Sequence, residues 1–337
     1  MKRIFTPTAA AAIFMFMLLS SCSHLGLDDL WEEKPVHSPE EITIAQENLF
    51  PEGVEYDRVM NRFLVSSITQ GSIGVVQHNG DYTEWINDPD IPSTIGIHID
   101  QPRKRLLVAV SDNGASEKSS EETINSLAGL AAYDLRNGQR IFYTRMDALL
   151  PDAPHFANDV TVDNKGNAYV TDSFTGVIYK VDPSGNASIY YQDEALNPAP
   201  NGFGLNGIDY DPRGYLLAVK SDEGKLLRFP INNPSDYTAV DLPIQLLNPD
   251  GIYLKNNKEL VIVNNNNGGE EAFVAILGSN DMWQSARLKG TFETGPVFPT
   301  TATAQSNGNV YVLYAYLNVL MSGNSQQEFQ IVKVNAE

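Results

Sequence analysis

The chain has 337 residues, a formal net charge of −19 and a single cysteine. This length allows one or two domains, and the excess of acidic residues disfavours nucleic acid and anionic lipid headgroups as partners. The lone cysteine excludes an intramolecular disulfide bond.

The N-terminus resembles a bacterial lipoprotein signal. Lys2 and Arg3 precede an apolar run from Ala9 to Leu19, which is shorter than the ~20 residues needed to span a bilayer but typical of a signal peptide. The run is followed by LSSC, ending at Cys22, which predicts a signal peptide over residues 1–21 and lipidation of Cys22. An ordinary secretory peptide with an incidental cysteine is the alternative.

The predicted lipid would anchor the mature protein in the bacterial cell envelope without a spanning helix. Ser23, rather than Asp, follows the cysteine, so nothing argues for inner-membrane retention in a cell with two membranes. We therefore expect the periplasmic side of the outer membrane. Residues 22–41 are acidic and aperiodic, which predicts a tether, and residues 42–337 are predicted to form a single domain. Membrane contact is expected only through the lipid anchor.

One sequence frame recurs six times in the predicted domain. Each copy has an anchor residue, a small residue and an alternating apolar pattern that leads into a second apolar run. The copies are EGVEYD at 52, IGIHID at 95, NDVTVD at 158, NGIDYD at 206, DGIYLK at 250 and TTATAQ at 300. Most of the spacings match the ~40–50 residues of a four-stranded blade. The sequence therefore predicts an all-β, six-bladed β-propeller.

Two segments complete this prediction. ITIAQEN, residues 42–48, alternates well and is predicted to pair with QEFQIVKVNAE at the C-terminus, which would close the ring and remove open sheet edges. Residues 113–129 lengthen the second repeat, and SSEETINSLAG within them predicts a short helix that ends at Gly129. This insertion either covers one face of the propeller or is a solvated loop without a role.

The six anchor residues form a column. Innermost strands line the channel of a propeller, so equivalent positions on them converge around the axis. Four anchors carry carboxylate or amide oxygens, and two do not: Glu52, Asn158, Asn206 and Asp250, against Ile95 and Thr300. Such oxygens are the ligands of Ca²⁺, whereas no cysteine pair or HExxH motif indicates zinc. The column predicts one divalent cation, most simply Ca²⁺, with Asp159 supporting the ligands rather than binding the metal.

On these motifs the chain resembles the SMP-30/gluconolactonase/LRE-like family, six-bladed propellers related to paraoxonases and diisopropyl fluorophosphatases. The resemblance rests on FPEGVEYD, ANDVTVDNKGNAYVTDS, LNGIDYD and NPDGIYL, which occur in that order. It implies a catalytic divalent cation, usually calcium, and hydrolysis of a small-molecule lactone or related ester. The ligands that it implies are Glu52, Asn158, Asn206 and Asp250, and Asp250 would also orient or deprotonate the attacking water.

One position departs from the family's pattern. Gluconolactonase-like members often carry an Arg two residues before the Asn ligand, where this chain has Phe156. We therefore expect a more apolar substrate than a sugar lactone. His155 is a candidate for proton transfer because imidazole titrates near neutral pH, and His98, on the predicted innermost strand of the second blade, is a weaker one.

Other functions are also compatible with the sequence. A non-catalytic, lipid-anchored propeller could present its rim to a glycan or protein partner, with the cation stiffening the channel. A propeller like strictosidine synthase would share the blades without the full column of oxygens. GFGLNG, residues 202–207, fits a dinucleotide-binding pattern, but a β-hairpin follows it where a helix is required.

Overall fold

The computed structural model describes residues 37–200 and 202–336. It contains six four-stranded antiparallel sheets, which confirms the all-β, six-bladed propeller. The predicted signal peptide, Cys22 and most of the tether lie outside the described residues. Within the described part of the chain, no helix is long and apolar enough to cross a bilayer.

The strands follow one another blade by blade. The first strand in the chain is β1 (Glu41–Ile44). Blade I contains β2 (Val54–Asp57), β3 (Arg62–Val65), β4 (Ser72–Val76) and β5 (Tyr82–Asn87), and blade II contains β6 (Ser93–Asp100), β7 (Arg105–Ser111), β8 (Gly129–Asp134) and β9 (Arg140–Arg145). Blade III contains β10 (Ala157–Val162), β11 (Ala168–Asp172), β12 (Val177–Val181) and β13 (Ala187–Gln192).

The remaining three blades repeat this order. Blade IV contains β14 (Leu205–Asp211), β15 (Tyr215–Lys220), β16 (Lys225–Pro230) and β17 (Thr238–Ala239), and blade V contains β18 (Pro249–Asn256), β19 (Glu259–Asn264), β20 (Phe273–Gly278) and β21 (Arg287–Glu293). Blade VI contains β22 (Pro299–Ala304), β23 (Val310–Tyr314) and β24 (Phe329–Lys333) together with β1.

Helices are short in the described residues. One α-helix, α1 (Leu317–Met321), follows β23. The 3₁₀ turns are Gln101–Arg103, Asp147–Leu149, Glu194–Leu196, Ser221–Glu223, Pro234–Asp236 and Asn266–Gly268.

The ring is closed by β1, the outermost strand of blade VI. Ile42 pairs with Ile331 and Ile44 with Phe329 in an antiparallel register. This confirms the predicted pairing of ITIAQEN with the C-terminal segment, although the strand begins at Glu41, which we had assigned to the tether. The closure joins the two ends of the domain into one sheet, so that blade VI contains strands from both ends of the domain.

The core consists of apolar layers between neighbouring blades, because alternate residues of each strand point to opposite faces of its sheet. In β7, Leu106 and Val108 pack towards blade I, whereas Leu107 and Ala109 pack towards blade III. The same alternation is seen in the second strands of the other blades. Both faces of each second strand are therefore buried, which explains their almost continuous apolar sequences.

The insertion at residues 113–129 does not form the predicted helix. It folds as successive turns held by Asp112, whose carboxylate accepts hydrogen bonds from Ser119 Oγ and from Thr123 Oγ1 at 2.5 and 2.7 Å. Side-chain hydrogen bonds of this kind compete with helix formation. The segment also contacts blade I, since Lys118 Nζ donates to the Gly71 carbonyl oxygen at 3.2 Å.

Candidate metal centre

Five of the six innermost strands begin with a β-bulge, and each bulge contains an anchor residue. In β10 the register shifts between Ala157 and Val160, so Asn158 and Asp159 fall inside the bulge. The same shift brackets Asn206 in β14 and Asp250 in β18. A bulge changes the direction of the side chains within it. It therefore turns these anchors from the blade into the channel.

Four of the six anchors are followed by a glycine, and close packing explains it. A Cβ at Gly207 would lie 2.4 Å from the Asp250 carbonyl oxygen, and one at Gly251 would lie 2.7 Å from the Thr300 carbonyl oxygen. The backbone of the next innermost strand occupies that space. Glycine at these positions therefore brings neighbouring anchors close together.

The four predicted ligands all face one buried region and line the same cavity. Each is nearly inaccessible, with exposed fractions of 6% for Glu52, 4% for Asn158, 6% for Asn206 and 4% for Asp250. Glu52 Oε2, Asn158 Oδ1 and Asn206 Oδ1 have no hydrogen-bond partner in the described residues. Buried oxygens without donors are costly, so their accumulation at one place fits the donor set of a cation site.

Two neighbours that our sequence analysis did not identify orient these ligands. Ser173 Oγ accepts a hydrogen bond from Asn158 Nδ2 at 2.9 Å, and Asn265 Nδ2 donates to Asp250 Oδ2 at 2.6 Å. The Ser173 contact engages the amide nitrogen of Asn158 and leaves the amide oxygen free. Ser173 and Asn265 each directly follow the second strand of their blade, and comparison of that position across the repeats could have found them.

The electrostatics of the two carboxylates agree with a cation site. Burial raises the pKa of Asp250 to about 7, against the lowering effect of hydrogen bonds from Asn265 and Asn206. Burial also raises the pKa of Glu52, as do the nearby charges of Asp250 and Asp159. Both shifts have the same physical origin, because two negative groups share a region of low dielectric without a counter-charge.

The donor set fits Ca²⁺ better than a transition metal. It consists of two carboxylates and two amides, and hard oxygen ligands of this kind suit Ca²⁺. Among the described residues, no group of three or more His, Cys, Asp and Glu side chains could hold a metal ion. The site therefore depends on its amide oxygens. The other anchors contribute none: Ile95 is apolar, and Thr300 Oγ1 donates to the Glu52 carbonyl oxygen at 2.7 Å.

Asp159 lies beside the ligands and braces the next blade. Its Oδ2 accepts a hydrogen bond from the Ile208 amide at 3.1 Å, and its Oδ1 accepts one from the Val160 amide at 2.8 Å. Burial raises its pKa to about 7. The carboxylate therefore ties β10 to β14.

His155 does not line the cavity. Its Nδ1 is 2.7 Å from Asp172 Oδ2, and its Nε2 is 2.9 Å from the Leu150 carbonyl oxygen. Both partners are acceptors, so both ring nitrogens act as donors, and the ring is only 1% exposed. Burial lowers the pKa of His155, but the hydrogen bond and charge of Asp172 outweigh it and raise the pKa overall. Neither ring nitrogen is therefore free to accept a proton from a molecule bound in the cavity, which argues against the proton transfer that we expected of His155.

His98 is also remote from the four ligands. It lies on β6, where its Nδ1 is 3.4 Å from Glu55 Oε1, and it is absent from the cavity wall. Burial lowers the pKa of His98 to about 4.

The cavity above the four ligands has a volume of about 760 Å³ and a largely apolar wall. Phe156 packs at its base, with ring centroids 5.4 Å from Phe174 and 5.6 Å from Phe203. Phe203 is 42% exposed, although it is a large apolar residue. The apolar surroundings predicted from Phe156 therefore extend up one side of the cavity.

Further wall residues come from segments that the sequence did not assign to the site. Helix α1 contributes Leu317, Leu320 and Asn318, and the amide oxygen of Asn318 has no hydrogen-bond partner in the described residues. The insertion contributes its residues 113–115. Of the two alternatives for the insertion, the structure therefore supports the one in which it covers part of the site face.

Comparison with known proteins supports the architecture. Neither a protein-family model nor a curated protein sequence matches the chain. Solved structures, in contrast, do match the chain in fold. The allergen Mala s 1 of Malassezia sympodialis superposes with a TM-score of 0.69 at 18% identity, covering 89% of this chain and 97% of that one.

Two further structures belong to proteins with named activities or ligands. A gluconolactonase of Xanthomonas campestris has a TM-score of 0.58 at 13% identity, covering 86% of this chain and 87% of its own. Regucalcin of Agrobacterium tumefaciens, described as a calcium-binding protein, has a TM-score of 0.58 at 15% identity, covering 87% and 93%. At these identities the likeness concerns the fold, and the chain is a six-bladed β-propeller of the kind seen in gluconolactonase and regucalcin.

Proposed function

We propose that this propeller hydrolyses a small-molecule lactone or related ester and uses one divalent cation, Ca²⁺, held by Glu52, Asn158, Asn206 and Asp250. The observation that carries the proposal is the set of three buried oxygens without donors beside the Asp250 carboxylate. The similar folds of a gluconolactonase and of a calcium-binding protein support it.

The cation would supply a Lewis acid for the substrate carbonyl and lower the pKa of a bound water. The other steps of the proposed reaction are assigned to side chains of the protein. Asn265 holds Asp250 Oδ2 at 2.6 Å, which fixes the plane of the carboxylate. Asp250 is the carboxylate that we assign to orienting the attacking water and accepting its proton, because no neighbour among the residues that the structure describes forms a hydrogen bond with Glu52 Oε2.

The apolar wall would select the substrate. Phe156, Phe203 and Leu317 line the apolar part of the space above the ligands and offer no hydrogen-bond donors to sugar hydroxyls, whereas amides such as Asn248 and Asn267 line other parts of it. Burying an apolar substituent there is favourable, whereas burying unpaired hydroxyls is costly. We therefore assign a lactone or ester with an apolar substituent, rather than a sugar lactone.

The test combines metal analysis with activity. Purified protein should contain one divalent cation per chain and should hydrolyse apolar lactones or aryl esters faster than glucono-lactone, with activity lost in chelator and restored by Ca²⁺. Asp250→Ala should abolish turnover and most of the metal affinity. Asp152→Ala, which removes an exposed carboxylate outside the cavity, is the control and should change neither.

A non-catalytic binding propeller for a glycan or protein partner is the alternative, and the position of His155 favours it. Both nitrogens of that ring are hydrogen-bonded within the protein, so His155 is not available as a base. Among the described residues, the carboxylates at the cavity wall are then Glu52, Asp222 and Asp250 alone. One bound cation per chain without hydrolysis of lactones, aryl esters or phosphotriesters would establish this alternative. Full lactonase activity in Asp250→Ala would contradict the mechanism.

We also propose that Cys22 carries the lipid anchor and that the protein resides in the bacterial cell envelope, on the periplasmic side where two membranes exist. The support is the sequence LSSC after a signal-like apolar run. Metabolic labelling with a fatty acid should mark the wild-type chain and not Cys22→Ser.

A further inference from the structure

The end of the propeller opposite the cavity forms a surface that we name the turn face. It consists of the six turns that join each innermost strand to the second strand of its blade, namely residues 58–61, 101–104, 163–167, 212–214, 257–258 and 305–309. Neighbouring turns are tied together. Arg103 Nη2 donates to the Asn164 carbonyl oxygen at 3.2 Å, and Arg105 Nη2 donates to the Gly166 carbonyl oxygen at 2.7 Å.

The turn face separates its charges by depth. Its aspartates are buried and accept hydrogen bonds from the turns that they begin: Asp57, Asp100, Asp163 and Asp211. Its free cations are exposed and make no ion pair within the described residues: Arg58, Lys104, Lys165 and Lys258, together with Lys255, which lies on the adjoining end of β18 next to Gly308 of the sixth turn. None of the exposed side chains in the six turns is acidic. The central ring of turns at this end is therefore cationic in a chain with a net charge of −19, whereas the outer turns at the same end, between the third and fourth strands, carry the exposed acids Asp81 and Asp236.

Two apolar side chains project from the same face. Val59 is 74% exposed and Met60 is 59% exposed, and both sit at the tip of the turn between β2 and β3, next to Arg58. Val59 is the most exposed large apolar side chain in the described residues. Exposed apolar groups beside cations are typical of surfaces that meet the headgroup region of a bilayer.

The described chain also begins at this face. The His37 carbonyl oxygen accepts a hydrogen bond from Gln305 Nε2 at 3.1 Å, and Gln305 opens the sixth turn. Residues 22–36 of the predicted mature chain, which begin with the predicted lipid on Cys22, therefore connect to the domain at His37, on the turn face.

From these three observations we infer that the turn face docks on an anionic lipid bilayer, so that the cavity opens away from the membrane. Net charge led us to expect poor affinity for anionic headgroups and membrane contact only through the lipid. Electrostatic attraction, however, acts over about one Debye length, roughly 8–10 Å, so the local cations decide the interaction and not the distant acids. The inference does not depend on the proposed hydrolase activity.

Vesicle binding tests the inference. The full chain with Cys22→Ser, which cannot be acylated, is mixed with vesicles of phosphatidylcholine alone or of phosphatidylcholine with phosphatidylglycerol. We expect binding only to the anionic vesicles, weakened by salt. In the same background, Lys165→Glu with Lys255→Glu should lower the binding about tenfold or more. The apolar run of the N-terminus is common to all variants, so it cannot account for the difference.

The matched control reverses two exposed cations at the cavity end, Arg145 and Lys225. Arg145→Glu with Lys225→Glu changes the net charge equally and should alter vesicle binding less than about twofold. Equal losses in both double variants would show that only net charge matters and would overturn the inference. Binding to duplex DNA without binding to anionic vesicles would also overturn it.

Orientation gives a second, independent measurement. Because the Cys22→Ser chain has no other cysteine, a fluorophore can be placed at Met60→Cys or at Met321→Cys, which is 66% exposed at the cavity wall. Quencher-labelled lipids in anionic vesicles should quench the probe at position 60 strongly and that at position 321 weakly. Equal quenching, or stronger quenching at position 321, contradicts the proposed orientation.

Discussion

The channel contains two sets of buried acidic or amide side chains that differ in how they are satisfied. The upper set comprises Glu52, Asn158, Asn206 and Asp250, and three of its oxygens have no donor in the described part of the chain. The lower set comprises Glu55, Asp159 and Asp209, and every member accepts hydrogen bonds from the next blade: Ile99 N to Glu55, Ile208 N to Asp159 and Leu254 N to Asp209.

The difference shows that burial and charge alone do not identify a ligand site. Burial raises the pKa of Glu55 to about 8 and that of Asp209 to about 6, so both sets are perturbed in the same direction. What distinguishes them is the count of donors. The lower set uses its oxygens to hold blades together, whereas the upper set keeps oxygens free for a partner outside the chain.

The strongest test removes one charge from each set. Glu52→Gln keeps an oxygen in the upper set but loses its negative charge, so we expect Ca²⁺ affinity to fall about 100-fold or more. In chelator the variant should unfold at a higher temperature than the wild type, because it no longer buries a carboxylate without donors. Calorimetric titration with Ca²⁺ and thermal unfolding measure the two effects.

Glu55→Gln is the matched control, since it makes the same replacement in the lower set of the same repeat. It should leave the Ca²⁺ affinity unchanged within about threefold, because Glu55 holds backbone and hydroxyl donors rather than ligand. A loss of affinity as large as that of Glu52→Gln would erase the distinction between the two sets.

Removing the group that orients a ligand should have a smaller effect. Ser173→Ala deletes the acceptor for Asn158 Nδ2, so the amide can turn and its oxygen is no longer directed at the cation. Loss of such a supporting hydrogen bond typically costs ~10–100-fold in metal affinity. We expect a loss in that range by titration with Ca²⁺, and an unchanged affinity would show that packing alone holds Asn158.

The lower set should respond in stability instead of affinity. Asp209→Ala leaves the Leu254 amide without its acceptor at 2.7 Å, so we expect about 1–3 kcal/mol less free energy of unfolding in denaturant titrations. Asp209→Asn keeps an acceptor and should lose less. If either variant loses Ca²⁺ affinity while keeping its stability, Asp209 belongs functionally to the upper set.

The repeats allowed the blade architecture and the four upper residues to be predicted. Alternation in each strand reports which side chains are buried, and the recurring frame places Asn158, Asn206 and Asp250 at equivalent positions. Closure by β1 was also predictable, because its alternating pattern needed a partner strand.

Other features depended on three-dimensional contacts. The helix predicted within residues 113–129 is wrong because Ser119 and Thr123 bind Asp112, and composition does not report such pairings. For His155, the sequence showed a histidine near a ligand but not that Asp172 would occupy its ring. The hydrogen-bond partners of polar side chains depend on the three-dimensional fold, whereas the periodicity of apolar residues can be read directly from the sequence.

The pair His155–Asp172 lies outside both sets. In this pair the acidic side chain, Asp172, has a basic side chain of the same protein, His155, as its partner. The hydrogen bond and charge of Asp172 raise the folded-state pKa of His155 against the lowering effect of burial. A group whose pKa is raised on folding stabilises the fold fully below its unfolded pKa of about 6.5, and this contribution disappears as pH rises through the folded value.

His155→Gln should therefore lose about 1–2 kcal/mol of unfolding free energy near pH 6, and the deficit relative to wild type should shrink as the pH is raised. Denaturant titrations of both proteins across this range measure the deficit. A deficit that is constant with pH would show that the ring acts through packing alone, whereas loss of hydrolysis without any deficit would return His155 to the reaction.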